Sequence, residues 1–181
     1  MLMMVLANPE KGWVLSALER HEASLLRFAA TIVGPDDARD VVQDTFLELC
    51  RAKHGDVEGH LVPWLFTVCR NKALTLRRGT KRRANEEEVM GIASVEAGPH
   101  GELERKEDGE TVAALLAQLP ERSREVVALK FAGGLSYKEI AEVTGLTVSH
   151  VGVILHEALS KVRERVTKRE RAKVLDAGRR S

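Results

Sequence analysis

The sequence predicts an all-α protein of two small helical domains, and three observations carry that expectation. Hydrophobic residues make up 44% of the chain, aromatic residues only 4% and charged residues 30%, a mix that suits helical bundles better than β-sandwiches. Apolar positions recur at three- and four-residue spacing along most of the chain, with no strand alternation worth assigning. Between the two periodic stretches, residues 84–108 lose periodicity in part, gain acids and contain GIASVEAGPHG, the composition of a flexible linker. The predicted division is a helical domain over 12–83, an acidic linker over 84–108, a helix-turn-helix domain over 109–167 and a basic tail over 168–181. A chain of 181 residues can hold one compact domain or two small ones, and about 60 to 70 residues can just bury a workable core.

The elements follow in order. Residues 12–33 read as a helix with Leu18, Leu25, Phe28 and Ile32 on one face. Gly34-Pro35 ends it and starts a second, from about Asp36 to Arg51, with Val42, Phe46 and Leu49 inward and Asp37, Asp40, Asp44 and Glu48 forming an acidic stripe outward. KHGDVEGH is a loop by composition. Pro63 stands where a first helical residue belongs and opens a third helix to about Arg83, whose apolar face is Val62, Leu65, Phe66, Cys69, Ala73 and Leu76. In the second domain Leu115, Leu116 and Leu119 lead to Pro120, and a helix from Arg124 to Phe131 stops at Gly133-Gly134. In SYKEIAEVTGLTVSHVGVILHEAL, Ser136 and Glu139 are spaced as a capping box, and Ile140, Ala141 and Val143 face inward. Gly145 permits the turn, Thr147 caps the next helix, and Val151, Leu155, Ala158 and Val162 pack it. The charged end, VTKRERAKVLDAGRRS, is expected to fray.

Charge is balanced overall at +1 but unevenly spread. Residues 60–85 carry seven basic side chains and no acid, 86–110 carry two basic and nine acidic, and 161–181 carry nine basic and three acidic. Two basic blocks around an acidic one suggest two contacts with a polyanion. Two cysteines without a CxxC fit a reducing compartment. The opening MLMMVLA lacks a basic start and a cleavage site, so no signal peptide is expected. No apolar run is long enough to span a bilayer, and a cytoplasmic protein is expected. Cys50, His54, His60 and Cys69 have irregular spacing for zinc, and a buried structural thiol is the better reading of Cys69. No Ser/His/Asp set, carboxylate pair or phosphate loop emerges, so neither catalysis, a metal nor a cofactor is expected.

Three features then have two readings each. The two helices around Gly145 form either a DNA-binding helix-turn-helix or an ordinary helical hairpin. On the basic third helix, Arg70 and Arg77 share a face, as do Asn71, Thr75 and Arg78. These either neutralise phosphates and bond bases or form a solvated charge run, which usually mixes signs. The acidic stripe is either a plain solvent face or a docking surface for a basic partner.

DARDVVQDTFLELCR followed by PWLFTVCRNKALTLRRGTKRR resembles region 2 of bacterial extracytoplasmic-function (ECF) sigma factors, and LAQLPERSREVVALKFAGGLSYKEIAEVTGLTVSHV resembles their region 4. The two occur in the right order and separation, covering about residues 12–166. The resemblance implies a transcription-initiation factor that binds core RNA polymerase and promoter DNA, and commonly an anti-sigma factor whose partner domains close around it across the linker. It implies that Asp40, Gln43 and Asp44, with Phe46 behind them, dock on the polymerase clamp. It implies that Arg70, Asn71, Thr75, Arg77 and Arg78 read the −10 element while the Lys53–His60 loop holds a flipped base. Trp64 matches a tryptophan usual at that helix start. For the −35 element it implies Thr147, Ser149, His150, Val153 and His156 on the reading helix, peptide N–H groups of Ser136 and Tyr137 at phosphate, and backbone contacts from Arg122 and Arg124.

The chain departs from that pattern where members usually carry basic residues, at Gly152, Ile154 and Glu157, and Val153 replaces a usual small polar residue. Such a helix reads through small and apolar contacts such as thymine methyls, relies on the basic tail, or binds protein instead. Cys50 stands where an aromatic is common. The competing expectations are a stand-alone helix-turn-helix regulator and a helical protein-interaction module.

Overall fold

The computed structural model describes residues 12–89 and 112–179, and among them every regular element is an α-helix. The linker expected at 84–108 falls largely outside the described residues; 84–89 continue the preceding helix. In chain order the helices are α1 (Gly12–Val33), α2 (Pro35–Arg51), α3 (His54–Val57), α4 (Leu61–Val89), α5 (Val112–Ala117), α6 (Glu121–Phe131), α7 (Tyr137–Thr144) and α8 (Val148–Arg179).

Helices α1, α2 and α4 form the first unit. Gly34, at φ 90, takes a backbone conformation that L side chains avoid, and Pro35 opens α2 at once. The expected inward faces are inward: Leu25, Phe28, Ile32, Val42, Phe46, Leu49, Leu65, Phe66, Cys69 and Ala73 are all buried. Phe28 and Phe66 meet edge to face with ring centroids 5.4 Å apart. Burial pushes the Cys69 thiol up to about 12, against a weaker opposing hydrogen bond with Thr45. Leu76, expected on that face, is 38% exposed instead; Leu74 packs on the core in its place, because α4 outruns the first unit and turns a different side toward the second. The KHGDVEGH stretch is not all loop. It contains the single turn α3, held by buried Val57 and by His54 edge-on to Trp13 at 4.8 Å.

Helices α6, α7 and α8 form the second unit. Pro120, extended at φ −51 and ψ 143, caps α6, which therefore starts at Glu121 rather than Arg124. Ser136 and Glu139 complete the capping box at α7, and Gly145 takes φ 70 to turn the chain. Val126, Leu129, Leu135, Ile140, Val143, Val151, Leu155 and Ala158 are buried between the three helices. The stretch expected to fray continues α8 to Arg179.

The two units pack against each other, and their buried residues form one continuous core. Gly133 lies at a tight point of this contact: a Cβ there would lie 2.9 Å from Phe66 Cε1 of the first unit, and 2.7 Å from the Leu129 carbonyl oxygen of its own unit. Arg27 of α1 reaches across to donate to the Ala132 carbonyl at 3.3 Å.

Candidate nucleic-acid interface

The acidic face comes from α2. Asp36, Asp37, Asp40, Gln43 and Asp44 are exposed, since inward positions 38, 41, 42, 45 and 46 leave these residues on the far side of a 3.6-residue turn. Glu48, the last acid of the expected stripe, is already engaged: it accepts from Lys72 of α4 at 3.3 Å and from Arg51 at 3.0 Å. Phe46 is 1% exposed. It supports the acidic face from within and cannot touch a partner directly, which corrects its place among the expected docking residues.

The basic helix α4 splits into two faces. Asn71, Thr75 and Arg78 are exposed on one, with Thr75 Oγ1 donating to the Asn71 carbonyl at 2.8 Å. Arg70 and Arg77, two turns apart on the other, are covered by the second unit. Arg70 Nε donates to Glu125 Oε1 at 2.5 Å and its Nη2 to Oε2 at 3.3 Å, with 19% and 10% of the two side chains exposed. Arg77 Nη2 donates to Glu121 Oε1. The Arg77 guanidinium holds the Glu121 carboxyl below its usual range, helped by Lys81 and Arg124. The expectation of five open DNA-facing side chains thus becomes three open and two engaged by carboxylates. At the loop expected to hold a base, Lys53, His54, Asp56, Glu58 and His60 are exposed. Trp64 is half-buried and packs on the core.

In the second unit, Thr147 Oγ1 accepts from the His150 N–H at 3.2 Å, capping α8. Ser149, His150, Val153 and His156 project outward with Thr147 and Val148, Val153 being 53% exposed. Gly152 leaves room for Tyr137, whose ring carbon Cε2 would lie 3.7 Å from an added Cβ. The Tyr137 ring, 42% exposed, also takes the Lys130 ammonium 5.5 Å from its centroid. Ile154, expected to stand at a position usually basic, is 8% exposed and belongs to the packing face with Val151 and Leu155; Gly152, Val153 and Glu157 remain as departures outside the core.

Two expected phosphate contacts need correction. The Ser136 N–H already donates to Glu139 Oε2 at 2.7 Å, and Glu139 N–H donates to Ser136 Oγ at 3.3 Å. The Ser136 hydroxyl, and then the Ser136 N–H, hold the Glu139 carboxyl below its usual range, and an ionised carboxylate there repels phosphate. Arg124 lines the cleft between the two units with Thr31, Leu74, Arg77 and Glu121, donates to the Leu119 carbonyl at 3.4 Å, and has its Nε buried with no hydrogen-bond partner among the described residues. It faces the first unit. Arg122 donates to the Thr144 carbonyl at 3.4 Å, bracing the end of α7.

The Sigma-70 region 2 family profile matches residues 17–83, and the Sigma-70 region 4 profile matches residues 110–162. RNA polymerase sigma factor CnrH of Cupriavidus metallidurans is 32% identical over 154 residues, covering 79% of this chain and 81% of that protein. The chain belongs to the ECF sigma factor family. ECF RNA polymerase sigma factor SigL of Mycobacterium tuberculosis is 29% identical over 160 residues, covering 87% of this chain and 90% of that one. Among solved structures, the sigma factor RpoE of Bartonella quintana, crystallised with the anti-sigma factor NepR, superposes with a TM-score of 0.66 at 25% identity, covering 87% of this chain and 98% of that one.

As an alternative sigma factor, the protein binds core RNA polymerase and directs promoter-specific transcription initiation. Its region 2 contains α2 and α4, and its region 4 contains α6, α7 and the first half of α8. Sequence reasoning missed Glu121 and Glu125 of this sigma factor altogether. Their i,i+4 spacing on α6 was a visible signal of a shared face, but nothing in the sequence said that the face opposes Arg70 and Arg77.

Proposed function

We propose that the sigma factor divides its work between helices. Asp40, Gln43 and Asp44 of α2 dock on core polymerase; Asn71, Thr75 and Arg78 of α4, joined by Arg70 and Arg77, read and hold the −10 element as the strands separate. The Lys53–His60 loop holds a flipped base. Region 4 reads the −35 element through Thr147, Ser149, His150, Val153 and His156, with Arg122 on the backbone. The observation that carries this reading is that α2 and α4 expose opposite charge from one shared core, so one rigid unit grips protein and nucleic acid at once. The factor works without catalysis of its own, in the cytoplasm. An anti-sigma factor that holds both regions is its regulatory partner, as NepR is the partner of the Bartonella protein in the structure that this chain resembles.

The −35 contact of this chain is weakly cationic. The α8 face from Val148 to Ser160 carries no lysine or arginine, so Val153 and its neighbours act by shape and methyl contact. Affinity of region 4 for duplex then has a shallow dependence on salt.

The test is run-off transcription by core polymerase with the purified chain on the promoter region of its own operon. A specific transcript is expected. Tight duplex binding without polymerase, and no transcript, would instead support a stand-alone helix-turn-helix regulator.

A further inference from the structure

The loop between α2 and α4 holds little structure of its own. Its regular element, α3, is a single turn of four residues, His54–Val57, too short to be stable by its own hydrogen bonds. Gly55 stands inside the turn and Gly59, at φ 82, follows it, so the backbone is free to adjust on both sides. Two side chains pin it. His54 and Val57, three residues apart, share a face. Val57 is 1% exposed in the core, and the His54 ring meets the Trp13 ring edge to face, with centroids 4.8 Å apart and planes at 65°. Trp13 belongs to the first turn of α1 and is itself half-buried against the core, so its position is set outside the loop. Lys53, Asp56, Glu58 and His60 are exposed around this pair.

We infer that Trp13 is the positioning residue of the base-holding loop: it sets the His54 imidazole as the platform on which a base flipped out of the opened −10 strand stacks. This rests on the proposed role of the Lys53–His60 loop. An unstacked base presents its π-face, and aromatic rings, imidazole included, are what such bases lie on. The loop carries two rings, His54 and His60, and His54 is the one braced by a second ring. A ring already held in place loses less freedom when a base stacks on it, so the same contact keeps more of its affinity. Trp13 touches no nucleotide. It acts through His54, by orienting that ring and by keeping the turn from rotating about Val57. Every base has a π-face, so this contact follows the presence of a base more than its identity.

The experiment measures open-complex formation by core polymerase with the full-length chain. The templates are the promoter region of its own operon and a series in which one non-template position of the −10 region at a time is abasic. The unmodified chain is expected to lose about ten-fold at one position. H54A, and W13L, which keeps apolar bulk against the core without a ring, are each expected to lose about five- to ten-fold on the intact promoter and nothing further where that position is abasic. H54F and W13F keep a ring at each place and are expected to recover most of the loss. His54 is exposed, so H54A tests the stacking where the fold is not at risk. Variants H54A and W13L that match the unmodified chain on the intact promoter overturn the inference. A loss of equal size on intact and abasic promoters, or one that W13F does not recover, overturns it too, because a merely structural role acts whether or not a base is present. A loss in H54A without one in W13L removes Trp13 as the positioning residue. An unmodified chain indifferent to abasic sites throughout the −10 region is a different result: it removes the base-holding reading of the loop itself, and this inference falls with it.

Discussion

Arg70 and Glu125, 55 residues apart in the chain, share two parallel hydrogen bonds at 2.5 and 3.3 Å in a contact that leaves little of either side chain in water. The pair lies where the two units meet, so it belongs to the folding of neither unit alone. Truncating one partner leaves the other charge desolvated and unopposed. Glu125→Ala is expected to lower stability by about 3 kcal/mol, or roughly 6–12 °C in Tm for a chain of this size. Thermal unfolding followed by circular dichroism checks this. The Arg70→Met/Glu125→Met pair is expected to recover most of the loss, since apolar groups can replace a buried ion pair without penalty.

Two glycines give opposite predictions. A Cβ at Gly133 would lie 2.7 Å from the Leu129 carbonyl oxygen, 2.8 Å from Leu135 Cδ1 and 2.9 Å from Phe66 Cε1, so Gly133→Ala must shift the backbone after α6 together with its packing on Leu135 and Phe66, at about 1–3 kcal/mol. A Cβ at Gly152 meets only Tyr137 at an ordinary 3.7 Å, inside a regular helix. Gly152→Ala is expected to stabilise by up to about 1 kcal/mol. Urea midpoints of the two variants should move in opposite directions from that of the unmodified chain.

Acid acts at two carboxylates whose folded pKa values are depressed, Glu139 by its bonds to Ser136 and Glu121 by its bond to Arg77. A depressed carboxylate contributes stability that is fully present above its unfolded value, 4.5 here, and lost as pH falls through the folded value. Burial and Arg20 also disfavour the charged form of His21, lowering its pKa from 6.5, so urea midpoints are expected to ease downward once the pH passes below 6.5 and to fall further below about 5, where the carboxylates take up protons. Ser136→Ala removes one half of the capping box and is expected to cost about 1 kcal/mol at neutral pH. It should also make the acid-induced fall shallower, which a midpoint series against pH measures.

The division of labour between α2 and α4 is separable by charge reversal. Asp40→Lys/Asp44→Lys is expected to weaken capture by core polymerase at least ten-fold in a pull-down titration, while leaving single-strand affinity unchanged. Arg78→Glu is expected to do the reverse: polymerase is still captured, but open complex, read by permanganate reactivity of thymines, is lost. Arg78 is the better probe than Arg77, because Arg77 also bonds Glu121. Equal loss of polymerase capture in both variants would remove the assignment.

Helix type, order and inward faces were legible because burial follows the 3.6-residue period: every inward residue named for α2 is buried, as are Leu25, Phe28 and Ile32 of α1. The capping box at Ser136 and the turn at Gly145 were legible because they are local chemistry. What failed was the reading of side chains whose surroundings come from distant sequence. Leu76 has the spacing of a core residue, but α4 has left its first-unit partners by that point. Ile154 was read as part of an exposed run, while the register of Val151, Leu155 and Ala158 draws it inward. Arg70 and Arg77 were read as open because a chain's own carboxylates, 55 and 44 residues further on, cannot be anticipated from helical period. The Ser136 N–H is a different case: its partner Glu139 is only three residues away, and the bond that completes the box is the one that takes this donor from a phosphate.

The bond from Lys72 to Glu48 has its own consequence for how a partner approaches. By neutralising the C-terminal acid of α2, with Arg51 adding to the effect, it leaves the free negative charge of that helix concentrated toward its beginning, at Asp36, Asp37, Asp40 and Asp44. The helix is thus polarised along its length instead of uniformly anionic. An incoming cationic surface feels a gradient as well as an attraction, and a gradient gives the encounter a direction of rotation before any contact forms.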